Sequence, residues 1–140
     1  MTFRLDKTLA SDSVVVGRFD LCLLLLMNDS QYPWFTLVPQ RKYKTEIYQL
    51  SESDQQLLWL ESKILSTVVM DVFGGDKLNV AAIGNIVSQL HLHHVVRFKN
   101  DACWPKPVWG QLPMVAYELS EQDKIRENVA SKLAIFGFKS

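Results

Sequence analysis

The chain has 140 residues, 48% of them apolar, and its 15 basic side chains balance 15 acidic ones. That length and that apolar content are enough for one core, so a single domain over residues 1–140 is expected and intrinsic disorder is excluded. Zero net charge leaves no phosphate-backbone footprint, which removes nucleic acid as the expected partner, although a small anion needs only a few local donors.

The opening MTFRLDKTLASDS holds no apolar stretch, so no signal peptide is expected. VVVGRFDLCLLLLMN reads as two short strands with a turn near Phe19 and Asp20. Leu23 to Leu26 form the unbroken apolar run of a strand buried on both faces. The run from Leu21 to Met27 is too short to cross a bilayer, so no membrane partner is expected. Cys22 and Cys103 make neither a disulfide framework nor a zinc knuckle and read as reduced thiols of a cytoplasmic protein.

A polar loop over Asn28 to Gln31 leads to a third strand, WFTLVP, and then to the charged stretch QRKYKTEI, read as a solvated edge. A helix follows, with a capping pair at Ser53 and Gln56 or, in a second register, Ser51 and Asp54. Leu57, Leu60, Ile64, Leu65, Val68 and Val72 recur at helical spacing, and Gly74-Gly75 stops the helix. KLNVAAI and SQLHLHHVV read as two more strands joined through Gly84 and Asn85. Asp101 to Pro113, with three prolines and two tryptophans, must be irregular. A second helix is expected from Ser120, capped with Asp123, with Ile125, Val129, Leu133 and Phe136 on its apolar face and Gly137 at its end. Short β-links around one long helical crossover indicate an α+β fold with a mainly antiparallel sheet.

All three histidines lie in QLHLHHVV. Strand alternation puts Gln89, His91, His93 and Val95 on one face and Leu90, Leu92, His94 and Val96 on the other. The second face belongs to the core, which gives His94 a packing role; the first presents two imidazoles and an amide to one ligand. A metal would need a third ligand beyond this H-x-H pair. No histidine remains, and only Asp101 and Cys103 follow closely, so no metal and no cofactor are expected. A nucleophilic imidazole is the rival: it attacks phosphorus well when one nitrogen is free and the other is held by an acceptor, with Gln89 and His93 as donors to phosphate.

Gln89-Leu90-His91-Leu92-His93-His94-Val95 resembles the His-φ-His-φ-His-φ-φ motif of the histidine triad (HIT) superfamily, φ being apolar. It is closest to small bacterial HIT-like proteins whose motif opens with Gln. The likeness extends to CLLLLMNDSQYPWFTLVP, to the helix over Ser53 to Phe73, to NVAAIGN and to the CWP after the motif. The resemblance implies a five-stranded antiparallel sheet with two helices and, commonly, a homodimer. It also implies hydrolysis or transfer of a purine nucleotide or other nucleoside phosphate without an obligatory metal. In it His91 would be the nucleophile that carries a nucleotidyl group, His93 a phosphate contact, and Asn28 or Asp29 the ribose contact. Two departures stand out. Gln89 replaces the first histidine, and Lys42 or Tyr43 stands where the family has a further upstream histidine, so leaving-group protonation has no imidazole. An alternative is therefore a catalytically weak nucleotide-binding module, or a structural protein that keeps only the fold. Ser88 is read as a phosphate donor or a turn residue, Lys106 and Arg97 as surface charges before phosphate contacts, and Trp104 and Trp109 as packing or dimer contacts before base-stacking residues.

Overall fold

The computed structural model describes residues 2–140. Five strands, β1 (Ser13–Arg18), β2 (Cys22–Met27), β3 (Trp34–Pro39), β4 (Lys77–Ala81) and β5 (Leu92–Arg97), form one sheet in the order β1-β2-β3-β5-β4. Every pairing is antiparallel. Three helices accompany it: α1 (Lys7–Ser11), α2 (Glu52–Phe73) and α3 (Leu119–Leu133). The sheet is as expected, whereas α1 is one helix more than the sequence indicated. It is too short to show a helical period and is held by its cap: the Asp6 carboxylate accepts from the amides of Thr8 and Leu9 at 2.8 and 3.2 Å.

Both faces of the sheet are covered, which is why Leu24, Leu25 and Leu26 are wholly buried. On one face α2 and α3 pack Leu58, Leu65, Val69, Val129 and Leu133 against Leu24, Leu26, Phe35, Leu37, Leu92 and Val96. On the other, the N-terminal segment covers Leu25 and Val38 with Leu9, and the Pro/Trp loop covers Trp34 and Val95 with Val108 and Trp109.

The buried stripe of α2 is not quite the one the apolar residues trace. Leu60 is exposed, while Leu58, Glu61 and Ser62 are buried. The polar pair is tolerated because each has partners. Glu61 accepts from the amides of Leu21 and Cys22, both at 2.9 Å, and so fastens the β1–β2 turn to the helix. Ser51 is the N-cap, its hydroxyl accepting from Asp54, and Gly74 ends the helix in the left-handed region at φ 64°. α3 begins one residue before the expected Ser120, after Glu118, with no side-chain cap. Phe136 lies past its end and is exposed; Phe138 fills the core instead.

β5 starts at Leu92, not at Ser88. Its ladder with β4 ends at Ala81↔His93 and its ladder with β3 at Leu37↔Leu92, so Ser88 to His91 has no strand partner and forms the rim of the sheet.

Candidate active site

The ladder between β3 and β5 sets Thr36 opposite His93 and Trp34 opposite Val95. Trp34, Thr36 and His93 therefore share the face turned away from α2 and α3. His91, just before the strand, joins them: its ring centroid lies 4.7 Å from that of His93, with the planes at 82°. His94 points to the helices and is fully buried.

The hydrogen-bond partners decide where each imidazole carries its proton. His91 Nδ1 lies 2.6 Å from the Gln89 carbonyl oxygen, which can only accept, so Nδ1 donates and Nε2 keeps a free lone pair. At His93 the assignment is reversed. The Trp34 indole N–H, a donor only, reaches His93 Nδ1 at 3.0 Å, with Thr36 Oγ1 3.3 Å from the same nitrogen. The His93 proton is thus on Nε2, and the ring is a donor. His94 donates from Nδ1 to the Leu92 carbonyl at 3.1 Å and accepts at Nε2 from the Ser62 hydroxyl at 2.7 Å. Burial, with the neighbouring His91 and His94, pushes His93 down to about 3; burial pushes His94 down to about 4. Both stay neutral near pH 7.

His91 and His93 open on a cavity of about 420 Å³. Trp34, Trp109, Met27, Leu9, Ile86 and Met114 supply apolar walls, and Thr8, Asp12 and Asn85 are its other polar lining residues. Such a space suits a flat apolar ring joined to a polar group that meets the two imidazoles. Trp109 stands edge-on to His93 and Trp34, with centroids at 5.3 and 5.8 Å. Trp109 therefore packs beside the site, while Trp104 lies against the Arg97 guanidinium.

The other residues singled out in the sequence go elsewhere. The Gln89 amide is turned to the N-terminal segment, accepting from Asp6 N and donating to Arg4 O, both at 2.8 Å. Asn28 accepts from the backbone amide of Tyr117 and from the side-chain Nε2 of Gln122, and Asp29 accepts from Gln31 and the backbone amide of Val115. Both hold the 113–117 segment in place, and neither lines the cavity. Ser88 lines a separate cleft with Arg4 and Lys44. Arg97 is no surface charge. It is 1% exposed and pairs bidentately with Asp101 at 2.7 and 3.0 Å, with Asn79 at 2.9 Å on the remaining nitrogen. Trp34, Thr36 and Asp12 were missed. Trp34 and Thr36 do alternate onto one face of WFTLVP, but only the ladder to β5 shows which histidine they meet. Among the described residues, no three His, Cys, Asp or Glu side chains converge as a metal site, and no helix is long and apolar enough to cross a membrane.

An antiparallel sheet with two adjacent imidazoles at the start of the interior strand β5, backed by two helices, is the arrangement of a histidine-triad protein. Residues 8–100 match the HIT domain. The structure superposes on a histidine triad protein from Marinobacter aquaeolei with a TM-score of 0.93 at 46% identity, over 96% of this chain and 98% of that one. Histidine triad proteins from Bradyrhizobium japonicum and Sinorhizobium meliloti each give 0.92 at 36% identity, over 94% of this chain and 98% and 97% of theirs. No match was found among curated proteins. The chain belongs to the HIT family.

Proposed function

We propose that the protein is a nucleotide hydrolase or nucleotidyl transferase in which His91 Nε2 attacks the phosphorus of a purine nucleoside phosphate and carries the nucleotidyl group covalently. The observation behind this reading is the 2.6 Å bond from His91 Nδ1 to the Gln89 carbonyl. It leaves the lone pair on Nε2 and supports the positive charge that the ring gains when the N–P bond forms. His93, with its proton on Nε2, donates to the phosphate oxygens, and the apolar walls receive the base. The chain works as a homodimer in the cytoplasm. Trp59 and Leu60 on α2 and Val80 on the edge strand β4 are apolar and exposed, and both thiols are free.

The test is a three-way substitution. His91→Ala abolishes turnover and any acid-labile nucleotidyl-protein; His93→Ala leaves a rate lowered about a hundred- to a thousandfold; His94→Ala changes stability more than rate. Turnover that survives in His91→Ala refutes the reading. A second reading, a nucleotide-binding module with little catalysis, is favoured by one observation: the Gln89 amide is engaged by Arg4 and Asp6 and is no proton shuttle. Calorimetric binding of a purine mononucleotide without turnover by the wild type would decide for it.

A further inference from the structure

Ser88 to His91 lies outside both ladders of β5, so this stretch needs other anchors. Its central peptide is held at both ends. The Gln89 carbonyl and the Leu90 N–H belong to one planar unit and point in opposite directions. The N–H donates to the Lys44 carbonyl at 2.9 Å, while the Gln89 oxygen accepts from His91 Nδ1 at 2.6 Å. Donation at one end polarises the unit and makes the oxygen at the other a stronger acceptor. The tilt of this one plane therefore decides whether the His91 ring is held.

The Gln89 side chain fixes the near flank of the same plane. Its oxygen accepts from the Asp6 amide and its nitrogen donates to the Arg4 carbonyl, both at 2.8 Å. These two backbone groups lie either side of Leu5, and a planar amide, with a donor and an acceptor side by side, meets both. A neutral imidazole also has one donor and one acceptor, but on nitrogens that point apart. Asp6 carries the connection onward. Its carboxylate caps α1 on the amides of Thr8 and Leu9, and Thr8, Leu9 and Asp12 line the cavity.

We propose that Gln89 is a positioning residue: it ties the segment that walls the cavity to the peptide that holds His91, and so fixes the tautomer and the aim of that ring. It acts through His91 and touches no substrate. Without the tether, rotation about the Gln89 Cα–C bond carries the carbonyl away from Nδ1. A histidine with no partner favours the Nε2–H tautomer, which takes the lone pair from the nitrogen that attacks phosphorus. Misplacement of an attacking atom by about 1 Å costs on the order of a hundredfold in rate. The effect on turnover rests on His91 as the nucleophile; the effect on the ring does not.

Two substitutions cut the link from opposite ends. Gln89→Leu keeps much of the volume and loses both bonds. Asp6→Pro removes the amide that Gln89 accepts from, at a φ of −54° that suits proline. Its reference is Asp6→Ala, which shares the lost cap but keeps the amide. The first readout needs no substrate: nitrogen-15 NMR of the full chain. The wild type and Asp6→Ala should show His91 protonated on Nδ1, whereas Gln89→Leu and Asp6→Pro should show a mixture rich in Nε2–H. The second readout is turnover of adenosine 5′-phosphoramidate. Its kcat should fall about tenfold or more in Gln89→Leu against the wild type, and in Asp6→Pro against Asp6→Ala. Gln89→Leu/Asp6→Pro should lose no more than Asp6→Pro alone, because both changes cut one link. His91 keeping Nδ1–H in folded Gln89→Leu overturns the proposal, as do additive losses in the double variant. A fall in kcat with the tautomer unchanged also overturns it, and would put the Gln89 amide on the substrate itself. The tautomer shift, in a protein whose wild type turns over no nucleotide, supports the tether and counts against His91 as the nucleophile.

Discussion

Lowering the pH from 7 to 5 should destabilise this protein through two buried histidines, and His94 allows the effect to be isolated. Its ordinary value of 6.5 falls to about 4 in the folded chain, because burial disfavours the imidazolium; His93 falls to about 3 for the same reason, with His91 and His94 adding to it. A depressed histidine contributes stability that is fully present above the unfolded value and is lost as pH falls toward the folded one. At pH 5 the unfolded chain has gained these protons and the folded chain has not. Each histidine therefore removes about 2 kcal/mol between pH 7 and 5, and the two together about 4 kcal/mol. Glu61, raised by burial against the lowering effect of its two backbone donors, acts with the opposite sign. The comparison that cancels it is wild type against His94→Gln, whose amide can still meet Ser62. Urea unfolding at both pH values should show the variant losing about 2 kcal/mol less than the wild type. Equal losses would mean that His94 is charged when folded, and the assignment of its proton to Nδ1, between Leu92 and Ser62, would be wrong.

Trp34→Phe keeps a ring but removes the N–H that His93 Nδ1 accepts, leaving Thr36 as the sole donor; a loss of about 1–3 kcal/mol is expected. Nitrogen-15 NMR should then show His93 as a tautomer mixture, and an unchanged Nε2–H pattern would show that Trp34 does not set it. Arg97→Met strands the Asp101 carboxylate, 3% exposed, and should cost about 3–5 kcal/mol in urea unfolding. A cost near zero would place that pair in water. A chelator should leave nucleotide hydrolysis intact, because His93 keeps its proton on Nε2 and, among the described residues, no three His, Cys, Asp or Glu side chains converge as a metal site. Loss of activity restored by zinc would refute this.

Local signals settled a good deal without the tertiary structure. Apolar alternation and length located all five strands, although β5 begins four residues later than its pattern. Gly74 and the apolar period before it located α2, and of the two caps offered, at Ser53 and Ser51, the structure uses the second, Ser51. The facing of the histidines was legible too: parity alone turned His94 from His91 and His93. What parity could not supply was the other half of each hydrogen bond. The Trp34 bond that places the His93 proton on Nε2 spans 59 residues, and the Ser62 bond to His94 spans 32. Gln89 looked like a ligand-facing amide until the N-terminal segment came to lie against it. Asn28 and Asp29 were accounted for only by the 113–117 segment, and Arg97 only by its enclosure between Tyr32, Asp101 and Trp104. A side chain's chemistry is written in the sequence, but which groups desolvate it and which satisfy it is set by chain crossings, and these decide whether a polar residue faces a ligand or holds the fold.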